Sequence, residues 1–273
     1  MLKDGHLEVE ALKKKYGNVI GWAVTENEKS YVDGVVRNFT DGFLAEMKRG
    51  GAQGTMFTRK LLVGNVASYI GGGTATTYTA LQWLLLTSAA YPQLQGRVRA
   101  ETDDIMKGRE PGSTIVWNDH HKMPYTKAFI WETIRCKPVN PLSIMSCAMD
   151  DVNLCGYVIP RGSIVIPSLW SLFNDTAFWK DPEVFRPERF LTTDGKSAVK
   201  PMELIAFSYG KRSCPGESVA TMVLLIYFAN ILHHFTVEAP AGAARLSDNF
   251  LGITLGANTR ELVYRPRTRC HQK

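Results

Sequence analysis

The chain has 273 residues, 45% hydrophobic and 21% charged, a balance that fills a sizeable core and excludes a low-complexity or disordered chain. Its formal net charge is +6, yet no dense Lys/Arg run is present, so no nucleic acid is expected as a partner, and Lys13-Lys14-Lys15 reads as a solvated helix face. Five cysteines, at 136, 147, 155, 214 and 270, include no CxxC pair; this argues against a zinc module or a disulfide framework and fits a reducing compartment.

Residues 1–17 show no apolar core of the kind a signal peptide needs, and residues 1–56 predict two or three short helices broken by turns such as Gly50-Gly51. A long, mostly apolar helix is expected over 57–91, carrying Leu61, Leu62, Val66, Ile70, Leu81 and Trp83 to Leu86. Pro92 closes it and opens a charged amphipathic helix to Lys107. Residues 111–121 are loop-like, and 124–137 resume a helix that Pro138 and Pro141 end. Over 141–167 the pattern shifts to short strands joined at Pro160-Arg161-Gly162. Residues 168–206 hold many Pro and aromatic residues without a period, which predicts a packed, irregular loop. Pro215 opens an apolar helix that fills 217–234, and 235–273 alternate like a terminal hairpin. The longest apolar stretch, Val219 to Leu232, is shorter than the ~20 residues needed to cross a bilayer. The expected fold class is mainly α with a minor β-sheet, in one domain over 1–273 with no membrane-spanning segment of its own.

The segment Phe207-Ser-Tyr-Gly-Lys-Arg-Ser-Cys-Pro-Gly216 reads F-x-x-G-x-R-x-C-x-G. Cys214 stands before the apolar helix, where the dipole and free N–H groups of a helix start stabilise a thiolate. Pro215 suits a first helical position. Gly210 permits a tight turn that brings backbone amides near the sulfur. Arg212 offers a fixed cation to a carboxylate. An isolated cysteine is most often a buried structural residue; five fixed positions in one short loop are not.

This decapeptide resembles the heme-binding signature of the cytochrome P450 family, a resemblance that implies heme b held through an axial thiolate at Cys214. Phe207, Gly210, Arg212 and Gly216 are then cofactor-binding, with Phe207 against the ring and sulfur and Arg212 on a propionate. Three further segments lie in the order that the family requires. Glu132-Thr-Ile-Arg135 resembles its E-x-x-R helix, where residues three apart share a face. Phe185-Arg-Pro-Glu-Arg-Phe190 resembles its meander (175–206), which implies that Arg189 joins Glu132 and Arg135 in a buried network. Gly72-Gly-Thr-Ala-Thr-Thr77 resembles the oxygen-activation segment of the central helix. There Gly73 lets a flat ring approach the backbone, while Thr76 bonds back to a carbonyl, loosens the helix and helps deliver protons to dioxygen.

The pattern departs from the family at Ala75, where an acid is usual, and at Ser146, where a propionate-binding His or Arg often stands. The resemblance runs from about Tyr31 to the C-terminus and corresponds to the second half of a family member, so a partial domain is expected, whether fragment or truncated isoform. Met123-Pro-Tyr-Thr, Tyr157-Val-Ile-Pro-Arg-Gly and Pro201 to Phe207 resemble animal microsomal members that metabolise drugs and steroids. That implies a full-length protein on the cytosolic face of the endoplasmic reticulum membrane, with an NADPH-dependent flavoprotein reductase docking near Lys211 and Arg212. By the same analogy, Ile70, Val139, Leu142, Ile144 and Ile253 contact a hydrophobic substrate. The activity implied is a monooxygenase using O2; the alternative is a non-catalytic chain of the same family with weak or no heme binding.

Overall fold

The computed structural model describes residues 19–50, 57–240, 249–251, 254–257 and 261–267. The chain divides into two compact units, residues 1–74 and 75–273. Lys13-Lys14-Lys15, Ile253 and Cys270 lie outside the described residues.

In the first unit, helices α1 (Val19–Lys29) and α2 (Phe39–Arg49) accompany the opening turns of α3 (Arg59–Ala90). Asn38 caps α2 by accepting the Asp41 amide at 3.0 Å, satisfying one of the donors that a helix start leaves free. Val24, Phe43 and Leu62 form the buried core, with Leu44, Met47, Val63 and Val66 against it.

The second unit holds the remainder of α3, then α4 (Pro92–Met106), α5 (Pro124–Cys136), α6 (Leu169–Asn174) and α7 (Glu217–His234). Leu84 and Leu85 of α3, Val98 and Ile105 of α4, Phe129 and Ile130 of α5, and Phe228 and Leu232 of α7 share one core. Phe129 stacks on Phe228 with ring centroids 5.3 Å apart. Each such buried ring contributes roughly 1.5–3 kcal/mol, so this helix packing fixes the frame on which the later loops rest.

Helix α5 has Pro124 in its first turn and no local side-chain cap. A carboxylate from α4 takes that part: Glu101 accepts the amides of Tyr125 and Thr126 at 2.7 and 2.8 Å. Burial raises the Glu101 pKa against those bonds. Gln95, also on α4, bonds the carbonyls of Ser88 and Val237 and accepts the Val237 amide, so one buried amide uses its donors and its acceptor.

The strands are short and pair antiparallel. β1 (Ser146–Cys147) pairs with β4 (Ile164–Val165), and β2 (Val152–Leu154) forms a hairpin with β3 (Tyr157–Ile159). β5 (Phe235–Glu238) pairs with β8 (Val263–Pro266), enclosing in sequence the pair β6 (Asn249–Leu251) and β7 (Leu255–Ala257).

Three segments differ from the sequence expectation. Residues 111–121, expected as loop, include a 3-10 helix, Trp117–Lys122, held where Asp119 accepts from Arg109 and from the Val116 amide. Residues 168–206 contain α6 and a 3-10 turn, Pro187–Phe190, because elements of six and four residues are too short to show a period. Pro215 is not the first helical residue: α7 begins at Glu217 with Gly216 as its N-cap. No helix among the described residues is long and apolar enough to cross a membrane.

Candidate functional site

The segment 207–216 folds as a compact loop leading into α7. The Cys214 amide donates to the Phe207 carbonyl at 2.8 Å, and the Ser213 amide to the Gly210 carbonyl at 3.0 Å. Gly210 opens a single 3-10 turn, Gly210–Arg212, at φ +75°, where a side chain would be strained. Ser208 stands at φ +64° without glycine's freedom, so the loop itself carries backbone strain. The chain thus doubles back at Cys214, whose thiol is free and exposed.

Around that sulfur the structure leaves bare backbone. A Cβ placed on Gly216 would sit 3.8 Å from Cys214 Sγ, in ordinary contact. Phe207 is half-buried, and Arg212 is exposed with no ion pair among the described residues. Lys200 joins the two ends of the loop, pairing with Glu217 of α7 at 2.5 Å and lying 5.8 Å from the Phe207 ring centroid. Sequence reasoning missed Lys200 because nothing local marks it.

Among the described residues no group of three or more His, Cys, Asp or Glu side chains is placed to hold a bare metal ion. The donor set at Cys214 is one soft sulfur, an aromatic ring and a free guanidinium. One protein ligand suits a metal whose remaining ligands come from a macrocycle, and the guanidinium suits that macrocycle's carboxylates. The residues present fit a thiolate-ligated heme.

Glu132, Arg135 and Arg189 come together. Arg135 binds Glu132 at 2.8 Å within α5, with both side chains 0% exposed, and Arg189 reaches the same carboxylate at 3.0 Å. The Arg186 amide donates to Glu132 as well. The Arg135 guanidinium also donates to the carbonyls of Phe173 and Pro182, at 2.8 and 2.7 Å, and Arg189 to those of Lys180, Asp181 and Val184. One buried carboxylate therefore ties α5 to the chain between Phe173 and Arg189. A second core is formed by Ala128, Leu169, Phe173, Trp179, Phe190 and Leu204.

The segment 70–77 lies within helix α3. Thr74 Oγ1 donates back to the Ile70 carbonyl at 2.7 Å. Thr76 is half-buried and Ala75 exposed. A Cβ added to Gly71, Gly72 or Gly73 would meet nothing within 4 Å. Among the described residues the surface beside these glycines is open. Ile70, Leu142 and Ile144 are exposed apolar side chains at 53%, 47% and 78%. Val139 is half-buried, and its carbonyl accepts the Leu255 amide at 2.7 Å. Ser146 is exposed in β1, opposite Val165.

Comparison with known proteins adds an independent line. The cytochrome P450 family model matches residues 4–263. Cytochrome P450 2D28 from Mesocricetus auratus is 34% identical over 258 residues, 93% of this chain and 51% of that protein. A steroid 17-alpha-hydroxylase/17,20 lyase from Ictalurus punctatus is 35% identical, covering 85% of this chain and 44% of its own length. Human cytochrome P450 2D6 is 37% identical over 77% of this chain and 42% of its own length. The chain thus spans about half the length of the curated relatives it matches.

Proposed function

The chain belongs to the cytochrome P450 family, and from that premise we propose that it supplies the thiolate side of a heme monooxygenase acting on a hydrophobic small molecule. Cys214 would hold heme b through its thiolate, with Phe207 packing against the cofactor, Gly210 and Gly216 keeping the backbone beside the sulfur bare, and Arg212 pairing with a propionate. The observation that carries this reading is the free, exposed Cys214 thiol, presented at a loop closed by its own amide on Phe207.

When bound, the heme would supply the activation of O2, with two electrons and two protons consumed as one oxygen atom enters the substrate and the other leaves as water. The chain's own side chains do the rest. Thr76 holds a proton at Oγ1, and Gly73 leaves the helix surface open beside it. Ala75 offers no carboxylate, so solvent must replenish that proton. Glu132, Arg135 and Arg189 hold the scaffold behind the ligand loop. By analogy with the family, Ile70, Val139, Leu142, Ile144 and Ile253 are the residues assigned to substrate contact; all are apolar, and a relative that is a steroid hydroxylase fits a ligand of that character. Electrons come from an NADPH-dependent flavoprotein reductase that meets the exposed Lys211 and Arg212. The full-length protein works on the cytosolic face of the endoplasmic reticulum membrane.

The test is spectroscopic. The chain, loaded with heme, reduced and exposed to carbon monoxide, should show the red-shifted Soret band of thiolate ligation, and Cys214→Ser should abolish it. A band of neutral-thiol or histidine ligation in the wild type, or no bound heme, would falsify this reading and assign the chain a non-catalytic role.

A further inference from the structure

Trp83 lies on α3, C-terminal to Thr76, and its side chain is 0% exposed. It belongs to a small core with Leu86, Leu255 and Ala257, apart from the main helix packing. Its indole N–H donates to the carbonyl of Leu255 at 2.8 Å, a buried bond between residues 172 positions apart in sequence. The amide of the same Leu255 donates to the Val139 carbonyl at 2.7 Å. Leu255 thus has its carbonyl committed to α3 and its amide to the segment that follows α5. The face of the indole is used too, with Lys137 Nζ 5.0 Å from the ring centroid.

Filling this core requires only an apolar ring. A phenylalanine would pack there, yet it would leave the Leu255 carbonyl buried without its donor, which costs more than the bond itself contributes. The indole N–H, not the hydrophobic bulk, ties α3 to Leu255, whose own amide in turn holds Val139. Two of these stretches bear on residues assigned above to the substrate: Val139 is one of those residues, and β7, which begins at Leu255, follows Ile253 closely in sequence.

We propose that Trp83 is a positioning residue for the substrate: it anchors Val139 and the β6–β7 hairpin to the helix that carries Thr76. The proposal rests on the monooxygenase reading for the identity of those substrate contacts; the anchor itself is a matter of geometry. A contact free to move by ~1 Å presents a different carbon of the substrate to the reacting centre, so the expected loss is in binding and site selection rather than in the heme ligation.

The test uses the full chain. Amide hydrogen exchange is compared between wild type and Trp83→Phe, which keeps a ring beneath Lys137 but removes the donor. The Leu255 amide should exchange about tenfold faster in the variant, with α7 amides unchanged; equal protection at Leu255 overturns the proposal. On heme-loaded protein, phenylimidazole should bind the variant about tenfold more weakly while the reduced carbon monoxide band keeps its position. Faster exchange with unaltered binding also overturns the positioning role. Absence of that band in the wild type instead sinks the monooxygenase reading, and the exchange comparison still decides the anchor. If Trp83→Phe does not fold, the wild-type indole proton is followed by NMR with nitrogen-15 tryptophan. Exchange much slower than that of Trp170, whose side chain is 43% exposed, supports the anchor; exchange as fast as Trp170 overturns it.

Discussion

Glu132 is a single buried carboxylate facing two guanidinium groups and one backbone amide. Its partners are in turn committed to carbonyls from Phe173 to Val184, so neither arginine can relax toward water when the charge is lost. Glu132→Gln should therefore destabilise the protein by about 3–5 kcal/mol, read as a drop in the denaturant midpoint at constant slope. A loss below about 1 kcal/mol would mean that solvent reaches the site. The pair Glu132 and Arg135 was legible from spacing alone, since residues three apart share a helix face. The Arg186 amide and the carbonyls of Phe173 and Pro182 were not, because a backbone group carries no signature in sequence and each lies far along the chain. The loop 207–216 was legible through its spacing and its resemblance to the family signature, while its strain at Ser208 was not; a left-handed serine looks like any other until the backbone is traced.

At the scale of elements, the longer helices announced themselves through period and proline, and α4, α5 and α7 stand within a residue or two of where those signals place them. The nested strand pairs could be read as alternation but not as partners: β5 meets β8 across the intervening β6 and β7, and what holds them is tertiary. Arg267, just past β8, binds Asp103 of α4 at 2.6 Å, and the buried His233 of α7 meets the same carboxylate at 3.2 Å. Burial alone would raise the Asp103 pKa; the Arg267 hydrogen bond and the charges of Arg267 and His233 outweigh it, and the net shift is downward. A depressed carboxylate contributes stability that is complete above its unfolded value, ~4, and is lost as pH falls through the lower folded value. Asp103→Asn should thus melt lower than wild type at neutral pH, by the equivalent of about 1 kcal/mol or less after solvent screening, and the gap should close below about pH 4. A gap that stays constant across that range would show that the charge plays no part.

Over the whole molecule, the described cysteines separate into two environments. Cys136 is partly covered, next to Arg135 at 2.9 Å, and burial, ahead of the Glu132 charge, pushes its thiol up to about 12. Cys147, Cys155 and Cys214 are exposed. Iodoacetamide on the folded chain should therefore modify those three and spare Cys136 until the protein unfolds, and prior loading with heme should protect Cys214 alone; peptide mass analysis reads all four. Protection of Cys147 or Cys155 by heme would count against a specific ligand site. The presentation that makes Cys214 ready to meet iron makes it equally ready to meet peroxide. A sulfur so placed has two competing fates, coordination or oxidation to sulfenic acid and beyond, and only the first keeps it usable. On the proposed reading, the order of events then matters as much as affinity: cofactor must arrive before oxidant, and a preparation left in air without reductant should lose heme binding while keeping its fold.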